Sequence, residues 1–264
     1  MLIAQISDLH VTRPGHLCNN RVDTGRHLRA AVERVRGLAP APDLVIVSGD
    51  LVDTGDDEEY RELRRLIEPL LAPVFVIPGN HDNRGALVRA FADHRYLPHT
   101  GEFLHYTVEG WPVRLIALDT TIEGAMRGEM CAERLRWLER ALGVAPTEPT
   151  LIFMHHPPFA TGLAGMDAIG LHGAGAMAEI LACNTQVQLV TAGHLHRPIQ
   201  RRFGGTLAAT CPSTAHQLAF DLDRAAPVSF TLEPAAFQLH FWDGTGLVTH
   251  TVLIQDFDGP HPFL

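Results

Sequence analysis

The sequence predicts an α/β fold with a β-rich carboxy-terminal end, on three observations. Short apolar runs alternate with helical patterns over the first two thirds of the chain, as βα units require. Polar clusters of Asp, Asn and His follow directly on those runs, where open α/β sheets place their ligands. After about residue 198 the pattern changes to strand-like runs divided by Gly, Pro and Asp turns, which reads as an antiparallel sheet region.

The first strand is Leu2–Ile6. Behind it, Asp23 and Thr24 form a cap signal, and Leu28, Val32, Val35 and Leu38 recur at helical spacing. A second strand, Leu44–Ser48, precedes an acidic helix start and an apolar stripe of Tyr60, Leu63, Leu66 or Ile67, and Leu70. Strands follow at Val74–Ile77 and Val113–Leu118, then a helix over Arg134–Leu142, a strand at Thr150–Met154, a helix over Ala174–Ala182 and a strand at Val187–Thr191. The terminal runs are Ile199–Phe203, Thr206–Thr210, Val228–Leu232, Phe237–Trp242 and Leu247–Leu253. No Gly/Ser linker or charge block divides the chain, so residues 1–264 read as one domain, with a motif-bearing part to about 200 and the β-rich end over 201–264.

At 264 residues the chain can bury a large core, and with 46% hydrophobic and 19% charged residues it is neither disordered nor fibrous. Twenty-one basic against 30 acidic residues give a net charge of −9, which argues against a nucleic-acid polymer as partner. The opening Met1–Asp8 has no basic leader region, and no apolar run approaches the ~18 residues of a membrane span. A cytoplasmic protein without membrane attachment is expected. Its four cysteines, 18, 131, 183 and 211, form no C-x-x-C and are expected unpaired, whereas 16 histidines make imidazole the ligand currency.

Five clusters carry the chemistry. They are Asp8-Leu9-His10, Gly49-Asp50, Gly79-Asn80-His81-Asp82, His155-His156-Pro157 and Gly193-His194-Leu195-His196, each after a strand candidate. Asp-x-His and His-x-His on extended backbone put two side chains on one side, within reach of one ion. The mixed oxygen and nitrogen set suits iron, manganese, zinc or cobalt rather than a thiolate metal or calcium. Seven ligands are too many for one ion; two ions sharing a carboxylate would lie ~3.5–4 Å apart, the arrangement that clamps an attacked phosphoryl group. Gly49, Gly79 and Gly193 each precede a ligand and permit turns or close approach that a Cβ would obstruct.

These five blocks, in order over residues 8–196, resemble the full motif series of the calcineurin-like metallophosphoesterase superfamily. The Ile-Ser-Asp-Leu-His opening, Met-His-His-Pro-Pro and Pro212–Gln217 resemble its bacterial class III cyclic-nucleotide phosphodiesterases and glycerophosphodiesterases. The resemblance implies a four-layer α/β/β/α sandwich and two divalent metal ions, iron and/or manganese foremost. Asp8, His10, Asp50 and His196 would hold one, and Asp50, Asn80, His155 and His194 the other, with Asp50 as bridge and a metal-bound hydroxide attacking phosphorus in line. His81 would be catalytic, facing the phosphate, with Asp82 as a candidate orienting partner.

For the substrate, a monoester carries more charge and calls for Arg or Lys, yet the motif blocks meet no basic residue until Arg197. The expectation is a small phosphodiester, a 3′,5′-cyclic nucleotide or a glycerophosphodiester. The competing readings are a phosphomonoesterase or protein phosphatase on the same scaffold and a non-catalytic binding module. Arg13 and Asn20 in the loop 11–23, and His216 after the last block, are candidate substrate contacts. The other histidines, His172 among them, lack ligand spacing and read as surface or core residues. The aromatic residues of the terminal region, such as Phe220, Phe230 and Phe241, read as core or as a cap or dimer surface, and the resemblance favours a homodimer or higher homo-oligomer.

Overall fold

Two β-sheets stack face to face, each built around a parallel centre and each covered outside by helices. The computed structural model describes residues 1–263. The first half runs β1 (Leu2–Ile6), α1 (Thr24–Arg36), β2 (Leu44–Ser48), α2 (Asp57–Ile67), β3 (Val74–Ile77), α3 (Arg84–Ala90), β4 (Tyr106–Val108) and β5 (Arg114–Leu118). Then come β6 (Gly128–Glu129), α4 (Ala132–Val144), β7 (Thr150–Met154), α5 (Ala164–Asp167), β8 (Leu171–His172), α6 (Ala174–Ala182) and β9 (Val187–Ala192). The chain ends with β10 (Gln200–Phe203), β11 (Thr206–Thr210), β12 (Gln217–Leu218), β13 (Phe230–Thr231), β14 (Ala236–Trp242) and β15 (Leu247–Leu253).

The first sheet has the order β15-β14-β1-β2-β3 and the second β10-β11-β9-β7-β5-β4. Strand alternation divides the apolar side chains between layers. Leu115, Ala117, Leu151 and Phe153 of the second sheet join one core with Ile3 and Ile46 of the first. Their neighbours Ile116, Leu118, Ile152 and Met154 instead meet Leu138 and Leu142 of α4 and Met177 and Leu181 of α6. On the far side α1 and α2 add Leu28, Val32, Tyr60 and Leu63, completing the four layers.

The helices begin where the sequence signals. Asp23 caps α1 by accepting a hydrogen bond from Arg26 N at 2.8 Å, and Asp56 with Glu59 forms a capping box on α2. Leu38 and Leu70, expected inside these helices, lie beyond their ends and pack half-buried on the core. Gly37 closes the first helix, and Pro69, with no amide hydrogen, follows the second.

The carboxy-terminal strands are antiparallel as expected in the pairs β10–β11, β12–β13 and β14–β15. β11 pairs in parallel with β9, while β14 adds antiparallel to β1 and β15 to β14, so the β-rich end extends both sheets. The run Val228–Leu232 shortens to the two residues of β13, paired with β12.

A seam of polar groups crosses the apolar interior. Thr191 Oγ1 donates to Gln5 Oε1 at 2.6 Å, and Gln238 Nε2 donates to Thr210 O at 2.9 Å, both from one sheet to the other. His240 Nε2 lies 2.9 Å from Gln5 Oε1 and its Nδ1 2.9 Å from Thr249 Oγ1. Gln5 Nε2 donates to Ser48 Oγ, which donates to Ser7 Oγ at 2.7 Å, carrying the network to the loops that hold the polar clusters.

Candidate metal centre

All five clusters meet at the carboxyl ends of parallel strands. β1, β2 and β3 deliver Asp8, His10, Asp50, Asn80 and His81 from one sheet, and β7 and β9 deliver His155, His194 and His196 from the other. Asp8, His10, Asp50, His194 and His196 all have positive φ, between 43° and 69°. Such backbone is costly for residues with a Cβ and persists where surrounding contacts over-determine it, typically at functional sites. A Cβ on Gly193 would overlap Ser7 Oγ, and one on Gly79 would overlap the amide of Asp50, so the loops close only because these positions are glycine.

The candidate ligand atoms converge. His10 Nε2 lies 3.2 Å from His196 Nε2 and 3.5 Å from Asp50 Oδ2, and His196 Nε2 lies 3.5 Å from Asp8 Oδ1. His155 Nε2 lies 3.4 Å from Asp50 Oδ1 and 3.0 Å from Asn80 Oδ1. Atoms bound at about 2.1 Å to one ion stand roughly 3.0–3.4 Å apart, the edge of a tetrahedron or octahedron of that radius. The two carboxylate oxygens of Asp50 thus face two different histidine groups. Asp8 Oδ2 and His194 Nε2 are buried and have no hydrogen-bond partner, as groups reserved for a cation would be.

Partners behind the ligands fix their ring orientation. Ser48 O lies 2.9 Å from His155 Nδ1 and His216 O 2.9 Å from His196 Nδ1; a carbonyl only accepts, so each Nδ1 carries a hydrogen and each Nε2 is the nitrogen turned to the cluster. Between His155 and its neighbour the geometry separates two tasks. His156 has Nδ1 2.8 Å from Thr120 Oγ1 and Nε2 3.1 Å from Met126 O, so both of its nitrogens are used.

Charge within the cluster is strongly coupled. Burial acts to raise the Asp50 carboxyl, but His155, His10 and His81 outweigh it and hold Asp50 well below the usual carboxylate range. Asp8, whose burial is less well offset, is pushed up to about 6. Burial lowers His194 well below the usual imidazole range and His196 to about 4, which leaves them as neutral donors.

His81 stands beside the cluster with its ring edge-on to His10, 4.6 Å between centroids. Its Nδ1 donates to the carbonyl of Asp53 at 2.7 Å, and burial, which lowers its pKa, is outweighed by Asp50 and Asp53, so the net shift is upward. The orienting group is therefore the Asp53 carbonyl and not Asp82. Asp82 instead binds the loop, accepting from Gly79 N at 2.8 Å, Leu51 N at 3.0 Å and Tyr60 Oη at 2.8 Å.

A cavity of about 310 Å³ opens over the cluster, and His216 lines it. The other two expected substrate contacts do not. Arg13 is exposed and turned away to Asp56, 2.7 Å, because the acidic start of α2 offers it a partner, and Asn20 gives its place in the lining to Asn19. His172 lies outside the cavity lining and takes a 2.8 Å contact from Arg127. Sequence reasoning missed Asp53, whose Oδ1 is 3.3 Å from His10 Nδ1, and Met126, Met166 and Ile169 of the cavity lining, while Phe230, expected as core or as a cap or dimer surface, lines the cavity too. Neither had a signal, since a lone Asp or Met acquires its place only from the folded chain. A larger hollow of about 790 Å³ lies along Arg84, Phe103 and Arg134, where the guanidinium groups are already taken by Asp119 and backbone carbonyls.

The model of the calcineurin-like phosphoesterase family matches residues 1–198. The chain belongs to that family. Members similar to it over most of their length include a probable glycerophosphodiester phosphodiesterase of Arcobacter nitrofigilis, 38% identical over 100% of this chain and 97% of that one. A 3′,5′-cyclic adenosine monophosphate phosphodiesterase of Pseudomonas aeruginosa is 33% identical over 86% of this chain and 83% of its own. Among solved structures, a dimetal phosphatase from Danio rerio superposes with a TM-score of 0.67 at 16% identity, over 97% of this chain and 99% of the other, a likeness of fold. Family and cluster together support a site for two divalent ions. Among the described residues no helix is long and apolar enough to cross a membrane.

Proposed function

We propose that this family member is a dimetal phosphodiesterase of small phosphodiesters, in the class of the cyclic-nucleotide and glycerophosphodiester enzymes it is similar to. The observation that carries this reading is Asp50, whose two oxygens face His10 at 3.5 Å and His155 at 3.4 Å and so bridge two half-sites. Asp8, His10, Asp50 and His196 would hold one ion, and Asp50, Asn80, His155 and His194 the other. The ligand set suits iron, manganese, zinc or cobalt, and the family resemblance puts iron and manganese first. When bound, the ions supply Lewis-acid stabilisation of phosphoryl charge and activate water. Asn80 and His81 line the cavity beside them. With Nδ1 committed to Asp53 O, His81 presents Nε2 to the substrate, where it stabilises charge or gives a proton to the departing alkoxide oxygen.

The monoesterase reading lacks its cation, because neither Arg nor Lys lines the cavity over the cluster. A single cytoplasmic domain belongs to the proposal, as does a homo-oligomer joined through exposed terminal residues such as Phe241 and Val248 of β14 and β15. The test is hydrolysis by manganese-reconstituted protein of bis-p-nitrophenyl phosphate, p-nitrophenyl phosphate, 3′,5′-cyclic AMP and glycerophosphocholine, beside a metal-free control. Metal-dependent turnover of diesters above the monoester is expected; a monoester preference, or turnover without metal, overturns it.

A further inference from the structure

The cavity over the cluster has two unlike sides. One part of the lining carries the candidate ligand atoms and His81; the rest is mostly apolar, a wall of Met126, Met166, Ile169, Leu218, Val228 and Phe230 interrupted by Ser229 and flanked by Asn19 and His216. The wall is assembled from three separate segments: the loop before β6, the α5 region, and the β12–β13 hairpin. Its closeness is built in, because a Cβ at Gly165 on α5 would overlap Val228 Cγ2. Two of these side chains are exposed rather than core. Val228 is 59% exposed and Met126 49%, and an apolar surface left open beside a polar centre marks a place where a ligand covers it.

Charge defines the ligand further. The chain has no lysine, so all 21 of its basic residues are arginine, and none of them lines this cavity. The nearest in sequence to the last ligand, Arg197, is engaged by Leu218 O at 2.5 Å and Glu233 at 2.9 Å. The two carboxylates of the lining, Asp50 and Asp53, are turned to His10 at 3.5 Å and 3.3 Å, and none belongs to the apolar wall, where a cationic head group would need one. Phe230 does offer an aromatic surface, with its ring 5.1 Å from that of His216 at 67°.

We propose that this wall is the subsite for one uncharged apolar or aromatic ester arm, so that among diesters the protein selects arms of nucleobase, aryl or alkyl character over glycerol or a charged head group. The inference rests on the phosphodiesterase reading above and adds the residues that choose the arm. The two methionines, flexible and polarisable, let the wall accept arms of different shape.

The test uses two non-hydrolysable monoanions, diphenylphosphinate and dimethylphosphinate, titrated calorimetrically into the manganese-loaded protein. Diphenylphosphinate is expected to bind about 10-fold tighter or more, the scale of burying aromatic surface. Val228→Asp and Met166→Glu, on separate segments, should each collapse that ratio toward one with metal stoichiometry retained. Leu222→Asp, on the same hairpin but outside the lining, should keep it. Equal affinities in the unaltered protein, or a ratio that survives both wall substitutions, would overturn the subsite. Hydrolysis of bis-p-nitrophenyl phosphate by the same preparation separates the two ideas: turnover without arm preference removes only the subsite, and no diester turnover removes the parent reading with it.

Discussion

Asp50 does at one position what two residues do elsewhere, since each of its oxygens faces a different histidine group. Asp50→Ala is therefore expected to lose both ions and all diester turnover; metal analysis showing two ions retained with activity would remove its bridging role. His81→Ala makes the opposite prediction, with two ions per chain and turnover reduced roughly 100-fold or more, the scale of acid–base or charge stabilisation. Loss of metal in that variant would make His81 a structural support. At this scale the sequence was most readable in the placing of the candidate ligands a few residues after an apolar strand; the extended, period-two backbone expected for Asp8-x-His10 and His194-x-His196 is not what joins them, because all four residues lie on left-handed turns with positive φ. It was least readable for Arg13, whose direction is decided by Asp56, 43 positions away, and for Asp53, which gains its role by lying between His10 and His81.

The strand-end turn is the unit that converts sheet into site. Gly193 sits where Ser7 Oγ, Ser48 O and Asp8 Oδ2 crowd the space a Cβ would take. Gly193→Ala should cost about 1–3 kcal/mol, the usual scale of overpacking, and lower metal stoichiometry by displacing Asp8. Urea denaturation with metal analysis checks both; a variant matching the unaltered protein in each would show that the turn opens freely. Element existence was legible for strands such as β1, β2, β3 and β7, where continuous apolar runs end in a cluster. Their partners were not, because β11 beside β9 and β14 beside β1 are choices made across the whole chain. Short pieces such as α3 and the β12–β13 pair carry too few residues for a period to show, and the latter is the piece that supplies much of the apolar wall.

For the whole molecule, buried histidines set the response to acid. Burial lowers His105 from 6.5 to about 4, where Asp119 opposes the shift, and lowers His240 from 6.5 to about 3. Both folded values lie below the unfolded one, so the unfolded chain takes up protons first. Stability is full above about pH 6.5 and falls with decreasing pH, by up to about 1.4 kcal/mol per unit for each group. Urea midpoints at pH 7, 6 and 5 should therefore fall more steeply for the unaltered protein than for His240→Gln. Parallel curves would mean that His240 already titrates normally in the folded state. The seam that holds His240 has a mechanical meaning as well. Hydrocarbon faces attract without direction and can glide across each other at little cost, but the bonds from Thr191 to Gln5 and from Gln238 to Thr210 act as dowels between laminated boards. They lock the register of one sheet on the other, and with it the distance at which the loops of β1 and β2 meet those of β7 and β9. The spacing of the two half-sites is thus gauged inside the sandwich, well away from the surface where the substrate arrives.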